Sequence, residues 1–180
     1  MATQVAGGYH LSLQSGPVAL TWYGVRTKSN FEKSVAVSLE CKGLQPYLPQ
    51  YIRRKEWSDR VVERPTPLFP GYVFCRFDST KRVSILNTPG VVGIVGFGNQ
   101  PAPIPDAEIE AVRHLLNSGL AVSPCCYLNE GDRVRIRSGT LEGLEGILVK
   151  KKSAWRLIVS VNMLQRSVMV EIDQNIIAAA

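Results

Sequence analysis

Near residue 130 the spacing of the apolar residues changes, so the chain must pack differently on either side of that point. Beyond it, Asp132-Arg133-Val134-Arg135-Ile136-Arg137 alternates strictly, which sends Val134 and Ile136 to one face and the three arginines to the other. Ile147-Leu148-Val149, then Leu157, Val159 and Val161, then Val168, Val170 and Ile172 continue at short-strand spacing with turns between them. About fifty residues of this grammar predict a small all-β barrel. A core of that size is marginal, so few of its inward residues can be spared.

Before residue 118 helices and strands are mixed. Leu20-Thr21-Trp22-Tyr23-Gly24-Val25-Arg26 is rich in aromatic and β-branched residues and predicts a strand that Gly24 weakens. Ser29-Asn30 offers an N-cap, and Phe31, Val35 and Leu39 recur at i, i+4 and i+8 up to Gly43, the pattern of an amphipathic helix. Pro46 and Pro49 interrupt an extended stretch from Tyr47 to Ile52, a basic turn follows, and Val61-Val62-Glu63 leads to Pro65 and Pro67. Prolines so placed keep these strands at edges or bends. Gly71 to Phe77 is apolar at nearly every position, as in a central strand. A short helix through Lys81 to Leu86 stops before Pro89-Gly90, and Val91 to Val95 gives another short strand. A helix starting near Asp106 has Asp106, Glu108 and Glu110 at its positive end and Arg113 near its negative end. Ile109, Val112 and Leu116 share one of its faces, and Gly119 stops it. This order predicts an α+β sandwich with helices over a largely antiparallel sheet. The expected organisation is a tail over residues 1–19, an α/β domain over 20–118, a linker over 119–127 and a β domain over 128–178.

Charge is spread unevenly. The 180 residues carry 21 Lys+Arg and 15 Asp+Glu, a net +6, with 45% hydrophobic residues, which is globular rather than disordered composition. Residues 1–90 hold 12 basic and 6 acidic side chains, 91–130 hold 1 and 4, and 131–180 hold 8 and 5. The densest basic run is Arg53-Arg54-Lys55 followed by Arg60, with Trp57 interleaved, which suits contact with phosphates without base reading. A solvated charged turn has the same composition. No apolar run approaches the roughly 18–20 residues of a membrane helix. The first twenty residues lack the basic and apolar regions of a secretory signal, so a soluble cytoplasmic protein without a membrane partner is expected.

Cys41, Cys75, Cys125 and Cys126 show no C-x₂-C spacing for zinc, and adjacent cysteines rarely bridge each other. Cys75 lies in an alternating Phe74-Cys75-Arg76-Phe77 segment, where a packed thiol is the simpler reading. A cysteine-dependent hydrolase would need a base near it, and His114 has no evident partner. His10 lies in the tail. No nucleophile-elbow, zincin, phosphate-loop or dinucleotide motif is present, so neither a catalytic site nor a cofactor or metal site is expected.

Read together, four local patterns resemble the NusG family of transcription elongation factors: Trp22-Tyr23 opening the first strand; Pro67-Leu68-Phe69-Pro70-Gly71-Tyr72-Val73-Phe74; Thr88-Pro89-Gly90-Val91-Val92; and Gly131-Asp132-Arg133-Val134 through Gly139-Thr140-Leu141-Glu142-Gly143-Leu144-Glu145-Gly146. The last is similar to the KOW motif, in which glycines permit a tight turn between two strands, although Thr140 stands where proline is frequent. The resemblance implies a NusG-type N-terminal α/β sandwich followed by a small SH3-like KOW barrel. It implies a monomeric bacterial factor that is not an enzyme, binds RNA polymerase and suppresses pausing. Trp57-Ser58-Asp59-Arg60 and Phe74-Cys75-Arg76-Phe77 resemble the specialised UpxY-type and RfaH-type antiterminators more than the housekeeping factor.

The resemblance also implies sites. Phe69, Pro70, Tyr72 and Phe74, with Trp22 and Tyr23 beside them, match the pocket that receives the polymerase clamp helices. Alternation puts Tyr72 and Phe74 on one face and Val73 and Cys75 on the other. Arg53, Arg54, Lys55, Trp57 and Arg60 match a hairpin facing upstream or non-template DNA. Lys81, Arg82 and Ser84 correspond to a second polymerase contact. Leu141, Leu144, Met163 and Leu164 match barrel-tip positions that meet a small-subunit ribosomal protein or the termination factor Rho, exposed apolar tips being suited to protein recognition. The competing readings are ordinary core for the aromatic residues and the barrel leucines. For the whole chain the alternative is a translation-associated RNA-binding protein with a ribosomal-type KOW barrel.

Overall fold

The computed structural model of the chain describes residues 20–57, 60–125, 127, 131–151, 154–173 and 176–179. In the N-terminal half, β1 (Thr21–Thr27), β2 (Gln45–Tyr47), β5 (Tyr72–Phe77) and β6 (Val91–Ile94) form an antiparallel sheet in the order β2-β5-β1-β6. The apolar Gly71–Phe77 run is thus an inner strand, as its composition predicts. Between β2 and β5 the chain makes a separate two-stranded hairpin, β3 (Gln50–Trp57) against β4 (Arg60–Pro67). Both hairpin strands are edges, which is why Pro65 and Pro67 are tolerated there. Helices α1 (Glu32–Cys41) and α2 (Arg82–Leu86) lie on one side of the sheet. Strands β7 (Gly96–Phe97) and β8 (Gln100–Pro101) make a small turn before α3 (Asp106–Asn117).

Register separates the two faces of the N-terminal sheet. Trp22 opposite Arg76, Gly24 opposite Phe74 and Arg26 opposite Tyr72 alternate with Tyr23 opposite Cys75 and Val25 opposite Val73. The second set packs on α1 and α2, where Val25, Val73, Cys75 and Phe77 meet Val35, Leu39 and Ile85. The first set turns towards α3. Trp22 and Tyr23, expected to work together, therefore belong to opposite faces, because neighbouring strand residues always do. Tyr23 stacks on Phe77 at 4.5 Å between ring centroids, within the α1–α2 layer.

The C-terminal sheet contains β9 (Val122–Cys125), β10 (Asp132–Ile136), β11 (Glu145–Lys151), β12 (Ala154–Val161), β13 (Arg166–Ile172) and β14 (Ile177–Ala179) in the order β14-β10-β11-β12-β13-β9, with every pairing antiparallel. Strand β9 lies inside the stretch expected to be linker. It pairs with β13 from Val122–Val170 to Cys125–Ser167, and Val122 is buried. The apolar character of Val122–Cys125 is that of a sheet-edge strand.

The two halves share one core. Trp22, Phe69, Phe74, Ile104 and α3 residues Ile109, Val112 and Leu115 are continuous with Val134, Ile136, Leu141, Leu144, Leu157, Val159 and Leu164. Helix α3 is the common layer, and its innermost residue at the C-terminal end is Leu115, with Leu116 only half-buried. At one end of α3, Glu108 accepts hydrogen bonds from Asn162 N (3.2 Å) and Asn162 Nδ2 (2.8 Å); at the other, His114 Nε2 donates to the Thr140 carbonyl (2.8 Å). Gly24 marks the closest approach. A Cβ there would lie 2.7 Å from Leu164 Cδ2 and 3.1 Å from Val95 Cγ2, so the residue that weakens β1 by propensity is the one that lets Leu164 reach the sheet.

Candidate functional site

The Phe-Pro-Gly-Tyr segment is held in place by a carboxylate from the helix across the turn. Glu32, in the first turn of α1 and nearly fully buried, accepts the Gly71 N–H at 2.8 Å, while Gly71 O accepts Thr27 N–H. The expected Ser29-Asn30 cap does not form. Asn30 takes a left-handed φ of 65°, and Phe31 occupies the cap position with no side-chain hydrogen bond.

Downstream of that turn, β5 directs Tyr72 and Phe74 to the α3 side. Phe74 meets Phe69 edge-on at 5.3 Å and stacks with Tyr47 at 6.2 Å, and Tyr47 meets Trp22 edge-on at 6.3 Å. Arg113 of α3 lies over both outer rings, 4.7 Å from the Tyr47 centroid and 5.1 Å from that of Trp22, and bonds Glu110 at 2.7 Å. Burial pushes the Tyr47 hydroxyl up to about 12, an effect that outweighs the opposing pull of Arg113. Tyr47 and Arg113 thus belong to this aromatic cluster although their sequence setting, a proline-flanked tyrosine and a late-helix arginine, drew attention only to local structure. Phe69, Phe74 and Trp22 are buried, Tyr72 is half-buried and Pro70 is exposed. Tyr23 is on the other face.

The hairpin is a different environment. Arg53 and Arg54 are exposed, and Arg54 Nε bonds Glu63 Oε1 at 2.7 Å. Lys55, Trp57 and Arg60 are placed by strand register alone, with Trp57 opposite Arg60. Ser58 and Asp59 lie outside the described residues. At the second expected contact Lys81 is exposed, Arg82 bonds Asn99, and the Ser84 carbonyl accepts Lys42 Nζ at 2.7 Å. Lys42 also donates to Thr88 Oγ1, tying α1 to α2.

The barrel-tip residues are not exposed here. Leu141, Leu144 and Leu164 are buried and Met163 is half-buried, because the turns that carry them face α3 and β1 rather than solvent. The glycine-rich turn forms as its sequence predicts. Gly143 adopts φ 82° and donates to Ile136 O, while Ile136 N donates to Leu144 O.

Nothing in these groups resembles a nucleophile or a metal cage. The Cys75 thiol is fully buried and desolvation raises its pKa from 9.0 to about 12, leaving it protonated at neutral pH. Burial also raises Glu108, against the opposing effect of its Asn162 hydrogen bonds. Among the described residues no three His, Cys, Asp or Glu side chains gather as metal ligands, and no helix is long and apolar enough to cross a membrane.

An aromatic face on an antiparallel sheet, a helix shared between two sheets and a separate two-stranded hairpin define a protein of mixed α/β architecture. The NusG family model, described as transcription termination factor nusG, matches residues 20–113, and the chain belongs to this family. The chain is 30% identical to the transcription termination/antitermination protein NusG of Thermus thermophilus, over 87% of this chain and 96% of that one. It is also 30% identical to that of Lactococcus lactis, over 86% and 90%. Its fold is similar to a solved structure of Thermotoga maritima NusG that concerns a domain interaction, with a TM-score of 0.54 at 24% identity over 89% of this chain and 97% of that one.

Proposed function

We propose that this chain is a bacterial transcription elongation and antitermination factor that acts by binding and carries no cofactor. In this reading the face bearing Phe69, Pro70, Tyr72, Phe74 and Trp22 docks on the clamp helices of RNA polymerase. The C-terminal sheet, a KOW barrel, recruits a ribosomal small-subunit protein or Rho through Leu141, Leu144, Met163 and Leu164. The observation that carries the proposal is the segregation of aromatic residues on the N-terminal sheet. One face is committed to the α1–α2 core, while the other gathers aromatic rings on which α3 and the Leu164 turn rest. A few aromatic anchors commonly dominate an interface. Because both candidate surfaces lie in one shared core, docking requires the C-terminal sheet to leave the aromatic face, which frees both surfaces together. Lys81, Arg82 and Ser84 make the second polymerase contact. The likeness of Trp57-Ser58-Asp59-Arg60 and Phe74-Cys75-Arg76-Phe77 to the specialised UpxY-like and RfaH-like branch supports reading the chain as such an antiterminator, working as a monomer in the cytoplasm.

The test is retention of purified core polymerase on the immobilised full chain, with Tyr72→Ala alongside and thermal melting of both. Retention is expected, and the half-buried Tyr72 should weaken it by on the order of 2 kcal/mol when truncated. Binding loss that merely tracks unfolding would make Tyr72 a core residue. Retention of ribosomal RNA in place of polymerase would favour the translation-associated alternative.

A further inference from the structure

Two Pro-Gly pairs in this chain make the same turn. Pro70-Gly71 and Pro89-Gly90 each stand at the centre of four residues closed by a backbone bond, Tyr72 N to Phe69 O at 3.1 Å and Val91 N to Thr88 O at 3.0 Å. Each glycine takes a left-handed φ, 83° at Gly71 and 89° at Gly90. Proline at the first central position and a positive φ at the second define a type II turn. The competing type I turn is reached by flipping the central peptide, which exchanges the sides on which its N–H and C=O point.

The two turns are held in different ways. At Gly90 a Cβ would lie 2.7 Å from Phe31 Cδ1 and 3.1 Å from Val35 Cγ2, so the start of α1 packs directly against that turn. At Gly71 the nearest atom to such a Cβ is the Thr27 carbonyl oxygen at 4.0 Å, so packing there leaves room for a flip. What opposes the flip is Glu32, whose carboxylate accepts the Gly71 N–H at 2.8 Å. Glu32 is only 6% exposed, and a buried carboxylate is costly unless it is hydrogen-bonded. The bond it makes is charge-assisted, stronger than one between neutral groups. Because the peptide is trans, the Pro70 carbonyl then points away from Glu32. A flipped peptide would aim that carbonyl at the carboxylate and turn the N–H outward, beside exposed Pro70 and half-buried Tyr72.

We propose that Glu32 is a positioning residue for polymerase docking: by holding the Pro70–Gly71 peptide in one orientation it fixes the shape and polarity that Phe69, Pro70 and Tyr72 offer the partner. This rests on the polymerase reading above, and Glu32, a residue of α1, acts on the aromatic face only through Gly71. A turn that is flipped for part of the time binds more weakly in proportion to its competent fraction. The experiment titrates core polymerase on the immobilised full chain and follows exchange of the Gly71 amide by NMR. Glu32→Ala should weaken retention by on the order of tenfold and speed that exchange by a similar factor. Glu32→Gln, whose amide oxygen still accepts the proton, should restore most of both. Leu39→Ala, two turns further along α1 and fully buried, should lower the melting temperature at least as far yet leave retention as it is. Unchanged retention or unchanged exchange in Glu32→Ala, or an equal loss of retention in Leu39→Ala or Glu32→Gln, overturns the assignment. If the wild-type chain itself fails to retain polymerase, the polymerase reading falls and the docking role with it, while faster Gly71 exchange in Glu32→Ala still identifies Glu32 as the lock on the turn.

Discussion

Strand β5 and the β3–β4 hairpin are joined by a short turn, yet they solve opposite problems. The strand is buried on both sides, with α1 and α2 on one and α3 with the Leu164 turn on the other, and nearly every residue in it is apolar. The hairpin pairs only with itself, with exposed Arg53 opposite exposed Arg64 and Arg54 bonded to Glu63. In β5 each side chain is constrained by packing, so its aromatic residues serve the core. In the hairpin packing asks for little, so charge can be arranged for a partner at small cost to folding.

The sharpest way to break this contrast is Phe74→Ala. Phe74 is fully buried and contacts the rings of Phe69 and Tyr47, so its truncation should cost about 3–5 kcal/mol in urea unfolding. A cost near that of a surface change would mean that the α3 side of β5 is not core. Next in size is Gly24→Val, which forces a side chain into the space of Leu164 and Val95. It should destabilise by about 1–3 kcal/mol and speed hydrogen exchange at the Asn162 amide, which bonds Glu108. Unchanged exchange would show that the two halves do not meet through this contact.

A smaller effect comes from Cys75. Folding raises its thiol pKa from 9.0 to about 12 by desolvation, so above pH 9 the unfolded chain sheds this proton while the native one keeps it. Stability from this source is intact below pH 9 and falls as the pH rises towards 12. Between pH 8 and 10 the loss should be on the order of 1 kcal/mol, and Cys75→Ala should abolish that slope. Exposed Cys41 should meanwhile react readily with a thiol reagent in native protein, and Cys75 should not. Smallest is Arg54→Ala. Its ion pair with Glu63 is solvent-exposed, so the change should cost less than about 1 kcal/mol, in contrast with Phe74 a short distance along the chain.

What was legible in the sequence follows the same divide. Periodicity located β1, β5, α3 and β10 to β13 because each has a buried side that repeats at its own period. The hairpin was legible as extended, basic and proline-bounded, but its assignment of Arg53 and Arg64 to one face and Arg54 to the other needed the register. Local pattern could not show that Leu141, Leu144 and Leu164 are covered, since what covers them is α3 and β1, far away in sequence. Nor could it show that the stretch after Gly119 continues as a sheet strand, because Val122 finds its neighbour only at Val170. The Ser29-Asn30 cap failed for a related reason. The turn into α1 is organised by Glu32 reaching Gly71, a bond formed across the fold.

The notch at Gly24 also has a meaning in time. Leu164, the residue that fills it, is synthesised 140 positions later. At about 5–20 residues per second, a ribosome needs about 7–28 s to supply it. From the completion of β5 onward the nascent chain carries β1 and β5 without the turn that finally rests on them. A newborn molecule therefore presents its aromatic face more openly than a finished one, and the order of translation itself becomes a schedule for when that face is accessible.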